Sequence, residues 1–319
     1  MLRLTTCSLI ALALSSAAHA ATSITEDTVL TADLQGQITI DADDVTLDCA
    51  GHTIDSSAVS SGSGISISSH SGVAVINCTV TGAAFAGISI IGSTDISASE
   101  STLSANGFHG VWVQGSSNVH IAKNTANGNG ANGYQVKDSS LVTIEKNTAN
   151  GNTNGGFVGT TNTDGTWSKN DAVGNLGTGM ALFGSLGALL EKNTVTDNGG
   201  SGILLHETTG SMVSKNDAEG NSATGFVLQS GSDNNTLEKN TAASNGDSGF
   251  AVKVTDSSLL TGNTADDNVG AGFSILSTAT SSTFERNAAS GNGSWDAVDT
   301  GSPSTNTYDK NDFDSTSGI

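Results

Sequence analysis

Seven side chains recur at two positions of a repeating unit, and their types suit a sugar chain. Trp112 and Gln135 stand two residues after a recurring glycine; Gln114, Lys137, His206, Gln229 and Lys253 stand four after one. An indole offers an apolar face on which a pyranose ring stacks. Gln, Lys and His donate hydrogen bonds to hydroxyl and carboxylate oxygens. Together they would suit an acidic polysaccharide. The two lysines carry extra weight, because every other basic residue after the leader belongs to a separate column described below.

Other chemistry is sparse. Asp266-Asp267 and Asp41-Ala42-Asp43-Asp44 are the acidic turns at which a Ca²⁺ ion would sit, and no other cofactor is implied. His109 and His120 fall on different parts of one repeat, which argues against a copper site built from the pair. No residue is assigned a catalytic role.

The elements that hold these residues follow from the repeat. Glycines stand at Gly64, Gly87, Gly110, Gly133, Gly156, Gly179, Gly202 and Gly225, each 23 residues after the last, then at Gly249 and Gly272. One asparagine column runs Asn124, Asn147, Asn170, Asn193, Asn216, Asn240, Asn263, Asn287 and Asn311; a second runs from Asn106 to Asn292. Registered columns of this length are the mark of a solenoid. Val111-Trp112-Val113 and Val119-His120-Ile121 alternate as strands do, with an outward residue between two inward ones. Breaks rich in Asn and Gly suit bends with positive φ. A unit of 23 residues makes one coil of short strands, and stacking coils about 4.8 Å apart pairs each strand with its equivalent in the next. The leucine pattern and helix of a leucine-rich repeat are absent. The expected fold is all-β: a single-stranded right-handed parallel β-helix of ten to eleven coils over 41–293, after a cap at 21–40 and before an irregular coil and cap at 294–319. At the coil spacing, Lys137 and His206 lie roughly 14 Å apart, too far to act as one acid–base pair.

Several columns then acquire structural duties. An inward Asn at a bend can bond the Asn above and below it, which satisfies a buried amide. The position after each glycine is aliphatic or aromatic (Val111, Tyr134, Phe157, Phe226, Phe250, Phe273) and fills a narrow core. Lys123, Lys146, Lys169, Lys192, Lys215, Lys239, Arg286 and Lys310 precede the first Asn column, with Glu145, Glu191, Glu238 and Glu285 on alternate coils to neutralise the stack. A threonine column (Thr79, Thr102, Thr125, Thr148) is broken later by Asp171 and Asp217. Aligning Val45–Cys49 with Ala74–Cys78 puts Cys49 and Cys78 at one position of adjacent coils. That is close enough for a disulfide; the alternative is a pair of buried free thiols.

Composition bounds the setting. Arg3, an apolar run to Ala18 and the Ala18-His19-Ala20 cleavage pattern read as a signal peptide over 1–20, so the chain is expected in the periplasm or outside the cell. No later segment has the apolar length of a membrane span. The formal net charge of −20 disfavours nucleic acid and anionic membranes as partners. A monomer is expected.

Units ending in Lys-Asn-Thr-Ala, after the opening Val45-Thr46-Leu47-Asp48-Cys49-Ala50-Gly51-His52-Thr53-Ile54, resemble the pectate-lyase-like superfamily, in particular its NosD-type and general β-helix repeat families. The resemblance covers roughly residues 24 to 311. It implies that the strand face after each glycine is the sugar-binding groove. It leaves activity open, since the superfamily holds lyases, hydrolases, epimerases, adhesins and accessory proteins. The Asp-Pro-His-Asp motif of alginate epimerases is missing, and the only proline is Pro303. Asn162-Thr163-Asp164-Gly165 resembles one polygalacturonase motif but lacks its partners and reads as a turn. Three classes remain: a protein that binds or modifies polysaccharide as a lyase or epimerase would, a NosD-like periplasmic accessory protein, and a structural or adhesive solenoid.

Overall fold

The computed structural model describes residues 21–301 and 305–319. The expected signal peptide, with Cys7, and Pro303 lie outside the described residues. The described residues fall into two compact units, one up to 148 and one from 149, and each is a stack of parallel β-coils. Every strand pairing among the described residues is parallel, as a right-handed β-helix requires, and there are about 12 turns in all. No described helix is long and apolar enough to cross a membrane.

In the first unit, three faces are stacked. Ala86–Ile91, His109–Gln114 and Tyr134–Lys137 follow one another on the first face. Thr94–Ser99, Ser117–Ala122 and Thr143–Glu145 follow on the second. Thr53–Asp55 and Thr79–Thr81 pair on the third. The off-period residues expected as a cap already carry strands. Thr22, Thr28 and Leu34 pair with Ile38, Leu47 and Ile54, separations of 16, 19 and 20 residues rather than 23. These shorter coils hide from a search for one fixed period, which is why the turns outnumber the ten to eleven expected.

The second unit repeats the plan, for example in Ile203–His206, Met212–Ser214 and Asp217–Glu219. Its inward column runs Met180, Ile203, Phe226, Phe250 and Phe273 in strict register. The three phenylalanine rings stack with centroids 4.8 Å apart and planes within 7° and 5° of parallel. Coil spacing and ring-stacking distance coincide, so aromatic burial costs no distortion. Gly159 marks where that core holds its largest side chain. A Cβ there would stand 2.5 Å from Leu182 Cδ2 and 3.1 Å from Cζ2 of the buried Trp167.

Both asparagine columns are buried ladders. Asn193 shows the pattern: its Nδ2 donates to the Trp167 carbonyl at 2.8 Å and to Asn216 Oδ1 at 2.8 Å. The bend geometry departs from expectation at one point. In the first column the positive φ falls on the residue before the asparagine, basic everywhere from Lys123 to Lys310 except at Gly262, at 57° for Lys192 and Lys215 and 52° for Arg286. The asparagine keeps negative φ so that its amide enters the core, and the left-handed turn is displaced onto its neighbour. Lysine tolerates this conformation poorly, so ladder bonding outweighs local preference. The acidic partners close as expected: Glu191 reaches Lys192 at 3.0 Å and Lys215 at 3.3 Å, and Glu145 reaches Lys146 at 3.6 Å. Cys49 and Cys78 form the disulfide, their Cα atoms 4.8 Å apart.

Candidate functional site

In the first unit, the alternation that buries Val111, Val113 and Val136 turns Trp112, Gln114 and Lys137 outward. Trp112 lies in register with Gln135, and Gln114 with Lys137, so the four make two adjacent rows across neighbouring coils. Trp112, Gln114 and Lys137 are partly exposed. Gln135 is buried; its Oε1 accepts from Asn132 Nδ2 at 2.8 Å and its Nε2 donates to the Val136 carbonyl at 3.4 Å. It therefore supports the surface from beneath. Lys137 Nζ stands 3.9 Å from Asp138.

Three residues outside the expected set join Trp112. Phe85 and Phe108 occupy equivalent positions on adjacent coils, with ring centroids 5.9 Å apart. His109 stacks on Trp112 at 5.1 Å and 25°, and meets Phe108 edge-on at 4.8 Å. Phe85 contacts Trp112 at 5.4 Å. Phe108 is 50% exposed, whereas His109 is 2% exposed. The backbone N–H of Asn132 donates to His109 Nδ1 at 3.3 Å, so the proton of the neutral ring resides on Nε2. Burial pushes the His109 pKa down to about 4. Its Nε2 is buried and has no hydrogen-bond partner. The 23-residue spacing of Phe85 and Phe108 is the sequence signal that marks this cluster. His109 and His120 do lie on separate strands, Ser117–Ala122 carrying the second.

The second unit holds its own group. Phe183, His206 and Gln229 are in register on successive coils. Gln229 Nε2 lies 3.1 Å from His206 Nδ1, and the Phe183 ring lies 5.7 Å from the imidazole at 52°. Lys253 follows the strand Phe250–Val252 directly, and its backbone N–H donates to the Leu228 carbonyl at 2.8 Å.

The remaining candidates have structural surroundings. Asp164 sits at a left-handed corner with φ of 52°, as a turn reading of Asn162–Gly165 requires. Asp43 accepts the Ser71 N–H at 2.9 Å and pairs with His70 at 3.1 Å, contacts that lower its pKa. Asp266 Oδ1 accepts from both the N–H and the hydroxyl of Ser290. Among the described residues, no group of three or more His, Cys, Asp or Glu is arranged to hold a metal ion.

The fold is shared with known proteins. The A-module of the Azotobacter vinelandii mannuronan C-5 epimerase AlgE4 superposes with a TM-score of 0.68 at 16% identity, over 92% of this chain and 87% of that one. A double mutant of the periplasmic alginate epimerase AlgG gives 0.60 at 17% identity, over 82% and 76%. Tailspike protein 3 of bacteriophage CBA120 gives 0.51 at 10% identity, over 91% and 55%. At these identities the likeness concerns the fold. No curated protein matches the sequence. Residues 43–187 and 158–314 match the family described as a right handed beta helix region, and with the stacked parallel coils this establishes that the chain belongs to that family.

Proposed function

We propose that this chain is exported and binds polysaccharide on the outward first face of its first unit. The observation that carries the reading is Trp112: a partly exposed indole on an outward strand position, braced by Phe85 and His109 and bordered by the Gln114–Lys137 row. A flat aromatic wall with an amide and an ammonium at its edge matches a pyranose that carries a carboxylate. The similar solved structures include epimerases named for mannuronan and alginate, which supports a uronate-bearing chain as the ligand class. His206, Gln229 and Lys253 supply a second set of sugar contacts on the second unit. The reading is binding, and no residue is assigned a catalytic role.

A glycan array on residues 21–319, followed by titration of mannuronan oligosaccharides, tests this. Binding that weakens at least about tenfold in Trp112→Ala, with the melting temperature retained, is the expected result. A blank array overturns the reading and favours an accessory or structural role.

A further inference from the structure

The least explained polar atom in the first unit is His109 Nε2. A buried donor without a partner keeps its full desolvation penalty, and folded proteins rarely leave one. Here the cost is incurred beside the aromatic surface already described, and its orientation is enforced. The Asn132 N–H occupies Nδ1, which leaves the proton on Nε2. Trp112 lies against one ring face, and Phe85 and Phe108 meet the imidazole at 90° and 88°. Of these three rings Phe108 has the centroid nearest the imidazole, at 4.8 Å, and its own ring is half exposed.

Resting on the proposed sugar-binding role, we infer that His109 is the central hydrogen-bond donor of the site, completed by an oxygen of the pyranose stacked on Trp112, with Phe108 turning aside to admit it. The ligand chemistry is an uncharged N–H donor meeting a sugar oxygen, either a ring hydroxyl or a uronate carboxylate. The strength of the site then comes from a prearranged neutral donor within an apolar wall, where a hydrogen bond is felt more strongly than in water. Lys137 acts from the rim, where Asp138 shares its charge.

The experiment uses residues 21–319, with mannuronan oligosaccharides as the acidic probe and cello-oligosaccharides as the neutral one. His109→Phe keeps an aromatic ring and removes the donor; His109→Gln keeps an amide donor. His109→Phe should bind the preferred probe roughly three- to tenfold more weakly, as for one lost hydrogen bond, and His109→Gln should recover most of that loss. Phe108→Ala should bind as well as the parent or better. In ¹⁵N-histidine-labelled protein, the His109 Nε2–H resonance should shift and become protected from exchange when the probe is added. A His109→Phe loss confined to the acidic probe assigns the oxygen to a carboxylate, and an equal loss with both probes assigns it to a hydroxyl; either supports the inference. Trp112→Ala abolishing binding while His109→Phe leaves affinity and the Nε2–H resonance unchanged overturns this inference and leaves the binding role standing. Weakened binding in Phe108→Ala overturns the part given to that ring. A protein that binds neither probe overturns both readings.

Discussion

Asn216 Oδ1 accepts two hydrogen bonds from a single residue, the backbone N–H of Asn193 at 2.9 Å and its Nδ2 at 2.8 Å. Asn216 passes the pattern on, donating to Asn240 Oδ1 at 3.0 Å and to the Leu190 carbonyl at 3.0 Å. Asn216→Ala therefore leaves the backbone N–H and one Nδ2–H of Asn193 without their acceptor and removes one of the bonds to the Leu190 carbonyl. The expected cost is about 3 kcal/mol or more, seen as a melting temperature lower by about 5 °C or more. A loss under 1 °C would show that the ladder contributes little net stability.

The Cys49–Cys78 bridge makes a sharper prediction. Residues 21–319 should show no titratable thiol in denaturant until reductant is added. Cys49→Ser with Cys78→Ser should lower stability by about 2–4 kcal/mol, since the loop it closes regains its freedom in the unfolded chain.

His109 makes stability depend on pH. Its folded pKa of about 4 lies below the ordinary value of 6.5, because burial disfavours the imidazolium. The unfolded chain binds the extra proton first, so the stabilisation is whole above pH 6.5 and is lost as pH falls from there towards 4. The loss reaches at most about 3 kcal/mol. Chemical denaturation between pH 7 and pH 4 should show the parent losing more stability than His109→Phe, the carboxylate contributions being common to both. Parallel curves would refute the assignment.

Gly159 and Trp167 are complementary. Gly159→Val places carbon where Leu182 and Trp167 already stand and should cost about 1–3 kcal/mol. In a double-mutant cycle the penalty should shrink when Trp167 is replaced by Leu, whereas additivity would locate the strain elsewhere.

The columns that were legible in the sequence are those whose physics repeats in every coil. A buried amide is best satisfied by the same amide one coil away, so Asn124 to Asn311 declare themselves, and Cys49 and Cys78 align by the same logic. Trp112 and Lys137 were visible as departures from such columns. His109 was not: its position is held by Ala86 one coil before and Asn132 one coil after, and its burial arises from Phe85 and Phe108 at a corner. Side-chain direction at a corner does not follow the strand alternation. The left-handed lysines were hidden because lysine does not advertise positive φ; Gly262, which replaces one of them at φ of 63°, was the hint.

The disulfide also alters how the molecule would carry load. When the chain is pulled from its ends, tension crosses from Cys49 to Cys78 through the covalent bridge and bypasses the 29-residue separation between them. That segment is mechanically sheltered. Its extension, on the order of 100 Å at the contour length of an extended chain, would be missing from a force trace until the bond is reduced.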